Sequence, residues 1–189
     1  MLSPELVRLG WPGKSVPKRV IVIFPTIEEP DQLAAIADLR RRYDPLADLV
    51  QPHITLVFPF ESEITDPELR DHVRTCLRSV APFRVRLSQV TGHEGEYLLL
   101  NVKHGNDDLV ALHDLLYGGP LAQYLSTEHT FVPHLTVGRI ADNQEWREAL
   151  QLASAVSIHV EFVVSEVSVY EIEPGGARPL AIVVPLGPG

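Results

Sequence analysis

Two short stretches of the chain, PHITL at residues 52–56 and PHLTV at residues 133–137, share the order Pro, His, apolar, Thr, apolar. Apolar residues at alternate positions are typical of a β-strand that buries one face. Side chains two positions apart on a strand point to the same side. Each stretch therefore predicts a strand that places a His and a Thr together on one face, while its apolar residues anchor the other face in the core.

The elements predicted around these two stretches repeat in the same order. The first half has a strand at residues 20–24, a helix, the strand of residues 53–58, a second helix and a strand at residues 83–90. The second half begins again with a strand at residues 97–102 and continues through a helix, the strand of residues 134–140, a helix and further strands. Because the two motif strands occupy equivalent places 81 residues apart, the sequence indicates an internal duplication.

The duplication predicts an α+β fold with two pseudo-symmetric lobes. Each lobe has a mostly antiparallel sheet, the two sheets line a central cleft, and the helices pack on the outside. We expect residues 1–19 to form an N-terminal arm and residues 20–189 to form one bilobal domain. Its approximate halves, residues 20–95 and 96–189, leave room for strand exchange between the lobes, since neither half looks large enough to fold alone.

The composition is that of an ordinary globular protein, and it excludes several classes. Hydrophobic residues make up 45% of the 189 positions and charged residues 22%, which argues against disorder. The single cysteine, Cys76, excludes a disulfide framework and a cysteine-rich zinc module, so the default compartment is the reducing cytoplasm. No apolar run approaches the ~20 residues of a membrane helix. A net charge of −9 argues against duplex DNA. We therefore expect a cytoplasmic monomer with no membrane or duplex DNA partner.

The two His-x-Thr pairs suit in-line displacement at a phosphate. Across a cleft, they would present two imidazoles and two hydroxyls to one anion. An unperturbed histidine has a pKa of about 6.5, so one neutral and one protonated imidazole coexist near neutral pH. The neutral ring takes a proton from the attacking oxygen, the charged ring gives one to the leaving oxygen, and the threonine hydroxyls donate to the non-bridging oxygens. This scheme requires no metal and no cofactor.

The paired motif resembles the signature of the 2H phosphoesterase superfamily, and the chain is similar to the 2′-5′ RNA ligase/cyclic phosphodiesterase group within it. The resemblance implies a bilobal fold and metal-independent opening of a 2′,3′-cyclic phosphate on a nucleotide or an RNA end, a reaction that in reverse is 2′-5′ RNA ligation. It also implies that His53 and His134 are catalytic and that Thr55 and Thr136 bind the substrate phosphate. The second motif of the family often carries an arginine where Arg139 stands, which implies a further phosphate or substrate contact.

Strict strand alternation does not favour that role for Arg139. It places Arg139 on the apolar face of the strand, together with Leu135 and Val137. The guanidinium then reaches the side of His134 only if the strand twists or ends near Gly138.

Two other functions stay open from the sequence. The lobes could hold a phosphorylated ligand or an RNA end without turning it over. The site could instead act on a phosphodiester that is not RNA, which the acidic composition favours. A metal site at His129 and His134 is a weaker alternative, because this five-residue spacing has no carboxylate or cysteine partner.

The remaining histidines and aromatic residues carry less signal. His93, His104 and His113 are expected to be exposed, in a turn, a loop and a helix. Three phenylalanines, Phe24, Phe58 and Phe60, are expected in the core or the cleft wall. Any one of them, or Tyr97, is a candidate for stacking on a base.

Overall fold

The computed structural model describes most of the chain, namely residues 16–128, 130–173 and 176–188. Of the predicted N-terminal arm, residues 1–15 lie outside the described residues, and Lys18 already belongs to the first strand. His129, considered above as a metal ligand, also lies outside them.

Strands and helices alternate along the described residues much as predicted. The strands are β1 (Lys18–Ile23), β2 (Ile54–Glu61), β3 (Phe83–His93), β4 (Tyr97–His104), β5 (His134–Arg139), β6 (His159–Val164), β7 (Glu166–Glu173) and β8 (Gly176–Pro185). The α-helices are α1 (Pro30–Tyr43), α2 (Asp66–Leu77), α3 (Asn106–Leu116) and α4 (Asn143–Ser154), and a 3₁₀ helix spans Gly119–Tyr124. None of the helices in the described part of the chain combines the length and the apolar character that a membrane span needs.

All eight strands form one sheet in the order β6-β3-β4-β5-β2-β1-β7-β8, and every neighbouring pair is antiparallel. The two motif strands, β2 and β5, meet in the middle of the sheet through a single residue pair, Ile54 and Leu135. The two predicted sheets are therefore the four-stranded halves of one continuous, curled sheet. The predicted fold class, α+β with antiparallel strands and helices packed outside, is confirmed.

Each half of the sheet is completed by strands from the other half of the chain. β3, from the first half, pairs with β4 and β6. β7 and β8, from the second half, extend the sheet beyond β1. The exchanged strands carry fully buried side chains such as Val85 and Val169, so neither half of the chain closes its own sheet or core.

β2 runs past the proline that the sequence predicted as its end. Pro59 lacks an N–H group and cannot join a regular hydrogen-bonded ladder. The pairing of β1 with β2 shifts between Val57, opposite Ile21, and Phe60, opposite Arg19. Pro59 falls in this irregular part of the ladder, and the strand can therefore continue beyond it.

Helix α1 packs directly on β5, and a glycine makes the close approach possible. A Cβ atom at Gly138 would lie 2.8 Å from the Cβ of Tyr43 on α1 and 3.0 Å from the Cδ1 of Leu98 on β4. Any larger side chain there would force the helix and the sheet apart. Within the same core, the residues that join the motif strands, Ile54 and Leu135, are fully buried.

Candidate active site

The register of β2 and β5 brings the two motifs together. In antiparallel strands, residues that flank a facing pair also face each other, in reversed order. His53, one residue before β2, therefore stands opposite Thr136, and Thr55 stands opposite His134. The Cβ atoms of directly opposite residues are usually about 4.5–5.5 Å apart and those of diagonal neighbours about 7–8 Å. The four polar side chains thus share one face of the sheet, with the two imidazoles on a diagonal.

Both imidazoles are held by the same local hydrogen bond. His53 Nδ1 donates to the carbonyl of Gln51 at 2.8 Å, and His134 Nδ1 donates to the carbonyl of Val132 at 2.7 Å. A carbonyl only accepts, so each Nδ1 carries a proton. In both rings, Nε2 is therefore the nitrogen that can take up or release a proton.

Burial lowers the pKa of both imidazoles below the ordinary value of 6.5. Removal from water disfavours the charged ring, and this effect outweighs the hydrogen bond to the Gln51 or Val132 carbonyl, which raises the pKa. The charge of His134 also lowers the pKa of His53, because two positive rings near each other repel. A neutral imidazole, able to accept a proton, is therefore favoured at both positions near neutral pH.

A buried ion pair lies beside His53. Arg40 Nε donates to Asp44 Oδ2 at 2.8 Å, and a terminal nitrogen of Arg40 donates to the Leu46 carbonyl at 3.3 Å. The two charges act on the pKa of His53 in opposite directions, with Arg40 lowering it and Asp44 raising it. The ring of Phe24 lies 6.2 Å from that of His53. His53 is therefore fixed in a packed environment in which the neighbouring charges offset each other.

A cavity of about 460 Å³ opens on the polar face of the motif strands. Three of the four motif side chains, Thr55, His134 and Thr136, line it. His53 is not among the lining residues and borders the site from its position opposite Thr136. The other residues of the wall are mostly aromatic or apolar, and they are Phe58, His93, Glu94, Tyr97, Leu99, His113, Tyr117, Tyr124, Leu125, Ser126, Thr130, Phe131 and Val132.

A β-bulge decides where Arg139 points. In the pairing of β4 with β5, Leu99 lies opposite Thr136 but Leu98 lies opposite Gly138, so Val137 is an extra residue. Val137 and Gly138 are both buried. Strict alternation therefore fails at this point, and Arg139 emerges on the exposed side of the strand rather than on the apolar face.

Arg139 lies at the rim of the cavity with two partners. It faces Tyr97, a lining residue, in the sheet register, and its guanidinium lies 5.2 Å from the centre of the Tyr97 ring. Its Nε donates to Glu96 Oε1 at 2.5 Å. Arg139 is thus on the same side of the sheet as the four motif side chains, but its guanidinium is already paired with a carboxylate. It is not among the residues that line the cavity.

His113 is buried, so the prediction that it is exposed is wrong. Its Nδ1 donates to the carbonyl of Leu56 on β2 at 2.7 Å. Its ring stacks on Phe131 with a centroid distance of 3.8 Å and packs against Tyr117 at 4.8 Å. The Tyr117 hydroxyl in turn accepts the N–H of Phe58 at 3.0 Å. His113 and Tyr117, at the end of α3, therefore satisfy two backbone groups of β2, the Leu56 carbonyl and the Phe58 N–H. These groups lie past the one residue pair that joins β2 to β5.

The spacing of apolar residues in α3 could have revealed this orientation. Leu109, Leu112 and Leu116 are fully buried or nearly so, and His113 and Tyr117 continue the same stripe. Positions i, i+3, i+4, i+7 and i+8 form one face of a helix. A histidine at the i+4 position of this stripe belongs to the face that packs on the sheet.

The other two histidines agree with the prediction of exposure, but one is close to the site. His104 is exposed and does not line the cavity. His93 is exposed at the turn after β3 and lines the mouth of the cavity. Its charge lowers the pKa of His134, because both rings become positive on protonation.

The four aromatic candidates fall into two groups. Phe58 and Tyr97 line the cavity. Phe60 is buried, with its ring 5.1 Å from that of Tyr124, and Phe24 packs between the rings of His53 and Tyr170 at 6.2 and 5.0 Å. Only the first two are therefore placed to contact a ligand in this cavity.

The histidines and carboxylates of the described residues do not cluster as metal ligands do. Across residues 16–128, 130–173 and 176–188, no group of three or more His, Cys, Asp or Glu side chains is arranged to hold an ion. The arrangement of the four motif side chains is instead suited to an anion, because it offers two hydroxyl donors on one face and, when a ring is protonated at Nε2, an N–H donor beside them.

Known proteins resemble this chain in sequence or in fold. The family model of the 2′-5′ RNA ligase superfamily matches residues 27–176. A Geobacillus sp. (strain WCH70) protein named "putative phosphoesterase" is 32% identical over 141 residues, covering 72% of this chain and 79% of that protein. Two crystal structures of E. coli LigT have a similar fold. The apo form has a TM-score of 0.62 at 18% identity and covers 92% of this chain and 99% of that one. The complex with 3′-AMP has a TM-score of 0.61 at 19% identity and covers 90% and 98%.

The fold and the paired motif are those of a 2H phosphoesterase. The chain belongs to the 2′-5′ RNA ligase superfamily.

Proposed function

We propose that the protein opens 2′,3′-cyclic phosphates on nucleotides or RNA ends, with His53 and His134 as the general acid and base. The observation that carries this proposal is the matched hydrogen bonding of the two rings. Each Nδ1 is fixed to the carbonyl two residues earlier, which leaves each Nε2 for proton transfer. The crosswise register sets a threonine opposite each ring.

The step balances without a metal or cofactor. The oxygen of a water molecule forms a bond to phosphorus while the bond from phosphorus to one ribose oxygen breaks. The neutral imidazole takes the proton of the water at Nε2, and the protonated imidazole gives its Nε2 proton to the departing ribose oxygen. The product is a 2′- or 3′-phosphomonoester, and each proton transfer typically contributes about 10²–10⁴-fold. An RNA 5′-hydroxyl in place of water would make the same step a ligation.

Thr55 and Thr136 donate hydrogen bonds to the non-bridging phosphate oxygens in this proposal. Both line the cavity beside the imidazoles. Fixed donors stabilise the charge that develops on these oxygens in the transition state. Arg139 is proposed as a further substrate contact at the rim, where the ligand would compete with Glu96 for its guanidinium.

The substrate is proposed to be a nucleotide or a short RNA end rather than a long polyanion. The net charge of −9 disfavours a long nucleic acid. E. coli LigT, which shares the fold, has been crystallised with 3′-AMP. As parts of the same proposal, the enzyme is a monomer and resides in the cytoplasm, where its one cysteine, Cys76, stays a free thiol.

The experiment that tests the proposal is a turnover assay with the four 2′,3′-cyclic nucleotides and short 2′-5′-linked oligonucleotides. The variants are His53→Ala and His134→Ala, with the exposed His104→Ala as the matched control. We expect each motif variant to lose at least about 10²-fold in kcat while the control keeps full activity. EDTA should leave the wild-type rate unchanged.

Other outcomes identify the alternatives. Tight binding of cyclic nucleotides without turnover would make the protein a binding module. Turnover of only a phosphodiester without ribose would place the substrate outside RNA, which the acidic composition also favours. Retained activity in either motif variant would reject the two-histidine mechanism.

A further inference from the structure

His113 has a second ring nitrogen that the fold leaves unused. Its Nδ1 donates to the Leu56 carbonyl at 2.7 Å, and its ring packs between Phe131 and Tyr117. Among the described residues, Nε2 has no hydrogen-bond partner. His113 lines the cavity although only 4% of it is exposed. Of the two ring nitrogens, Nε2 is therefore the one left to meet a ligand in the cavity.

The cavity that His113 lines also has an apolar wall. Three lining residues of the cavity are large, apolar and exposed, namely Phe58 at 49%, Leu125 at 44% and Val132 at 56%. Contiguous exposed apolar surface commonly marks a binding site. The carbonyl of Val132 holds the His134 ring, so the wall begins beside the proposed catalytic imidazole. A flat aromatic group joined to the reacting phosphate would lie on this wall.

We infer that the wall is a nucleobase subsite and that His113 selects bases with an amino group at C6 of a purine or C4 of a pyrimidine, namely adenine and cytosine. The inference rests on the proposed function, because the base is that of the nucleotide whose phosphate lies between His53 and His134. His113 acts here as a specificity-determining residue and takes no part in proton transfer.

The selectivity follows from which atoms carry protons. The Leu56 carbonyl can only accept, so Nδ1 carries the proton of the neutral ring and Nε2 presents a lone pair. The amino groups of adenine and cytosine are donors, whereas the corresponding position of uracil is a carbonyl oxygen. A uracil in the subsite would place its carbonyl oxygen against Nε2, so that two acceptors would face each other. A base without the amino group would leave Nε2 unpaired.

The test measures binding by calorimetry, which does not depend on turnover. One ligand pair is adenosine 3′-monophosphate and purine riboside 3′-monophosphate, which differ only in the amino group. The second pair is cytidine 3′-monophosphate and its analogue without the 4-amino group. The variant is His113→Asn, whose amide nitrogen can still donate to the Leu56 carbonyl while no atom replaces Nε2. His104→Asn, the same substitution at an exposed position, is the control, and thermal melting checks that both variants fold.

We expect the amino-bearing nucleotide of at least one pair to bind the wild-type protein about tenfold more tightly, the usual effect of one hydrogen bond. The ratio should fall to about one in His113→Asn and stay unchanged in His104→Asn. A ratio of one for both pairs in the wild-type protein, no binding of any of the four nucleotides, or a ratio that survives in His113→Asn would overturn the inference.

A parallel assay of 2′,3′-cyclic AMP opening keeps the two proposals apart. If the binding preference is present but the wild-type protein opens no cyclic phosphate, the proposed function fails and the subsite stands. If the cyclic phosphate is opened but both members of each pair bind equally, the subsite fails and the proposed function stands.

Discussion

The two motif stretches share one pattern over all five of their residues, and the two residues that follow each stretch differ. In both, the histidine Nδ1 donates to the carbonyl two residues earlier, burial lowers the histidine pKa, and a threonine follows. Val57 and Phe58 follow the first stretch, whereas Gly138 and Arg139 follow the second. Phe58 lies on the apolar wall of the cavity, while the bulge in β5 turns Arg139 to the rim.

The shared residues are those proposed for catalysis, and the divergent residues are those proposed to contact the rest of the substrate. A phosphate offers similar oxygens to both lobes, and the shared part of the motifs is suited to it. In the proposed substrate the nucleoside extends from the phosphate to one side only, and we expect the divergent residues to match that asymmetry. We therefore expect substitutions in the shared part to have similar effects in the two lobes and substitutions in the divergent part to have unlike effects.

The largest effect is expected for the histidines and should not be additive. His53→Ala and His134→Ala should each reduce kcat by at least about 10²-fold, because each removes one of two coupled proton transfers. The kcat of the double variant should be only slightly lower than that of the less active single variant, because an acid without its base contributes little. Single-turnover kinetics of all three proteins measures this. Losses that simply multiply would show that the rings act independently.

The next effect compares the two threonines. Thr55→Val and Thr136→Val keep the shape of a β-branched side chain but lose the hydroxyl. Each should reduce kcat/KM by about 10–10²-fold, the usual value of a hydrogen bond to a charged group. The two losses should lie within about tenfold of each other. A large loss at one position and none at the other would contradict equivalent roles for the two lobes.

A smaller and asymmetric effect is expected at the divergent residues. Phe58→Ala should raise KM for cyclic nucleotides by about tenfold with little change in kcat, since stacking on a base contributes about 1–3 kcal/mol. Arg139→Ala should lower kcat/KM by about fivefold or less, because the side chain is exposed and already paired with Glu96. Steady-state kinetics at two salt concentrations tests both. Equal changes in KM for the two variants would remove the proposed asymmetry.

The smallest effect is a displacement of the pH profile. Burial disfavours the charged rings, which lowers the pKa of both His53 and His134 below 6.5. The bell-shaped profile of kcat/KM reports the free enzyme and should be centred below about pH 6.5. A bound phosphate anion favours the charged rings, so the profile of kcat should be centred at higher pH. A maximum of kcat/KM well above about pH 7 would contradict the claim that burial lowers the pKa of both histidines.

The sequence predicts the fold class well, and it predicts which motif side chains share a strand face, because both signals are local. The alternation in PHITL and PHLTV requires only the period of a strand, and the duplication sets the two strands in equivalent places. The sequence could not predict that a single residue pair, Ile54 and Leu135, joins the two halves into one sheet, because that contact depends on how closely the curled strands approach each other. The roles of the motif residues stay predictions.

Two misses have a clear physical origin. The side on which Arg139 emerges depends on one extra residue, Val137, and a bulge reverses every later position of the strand. The burial of His113 follows from the apolar stripe of α3, which outweighs the usual preference of histidine for the surface. The first of these could not be deduced from alternation, whereas the second could have been deduced from helical spacing.

The central claim is that one of the two imidazoles protonates the leaving oxygen while the other deprotonates the nucleophile. A cyclic substrate in which sulfur replaces the ribose oxygen that the wild-type enzyme expels tests this most directly, because a thiolate leaves without protonation. The account predicts that this substrate restores activity to either His53→Ala or His134→Ala, whichever lacks the acid, and not to the other variant. Restored activity in both variants, or in neither, would contradict it.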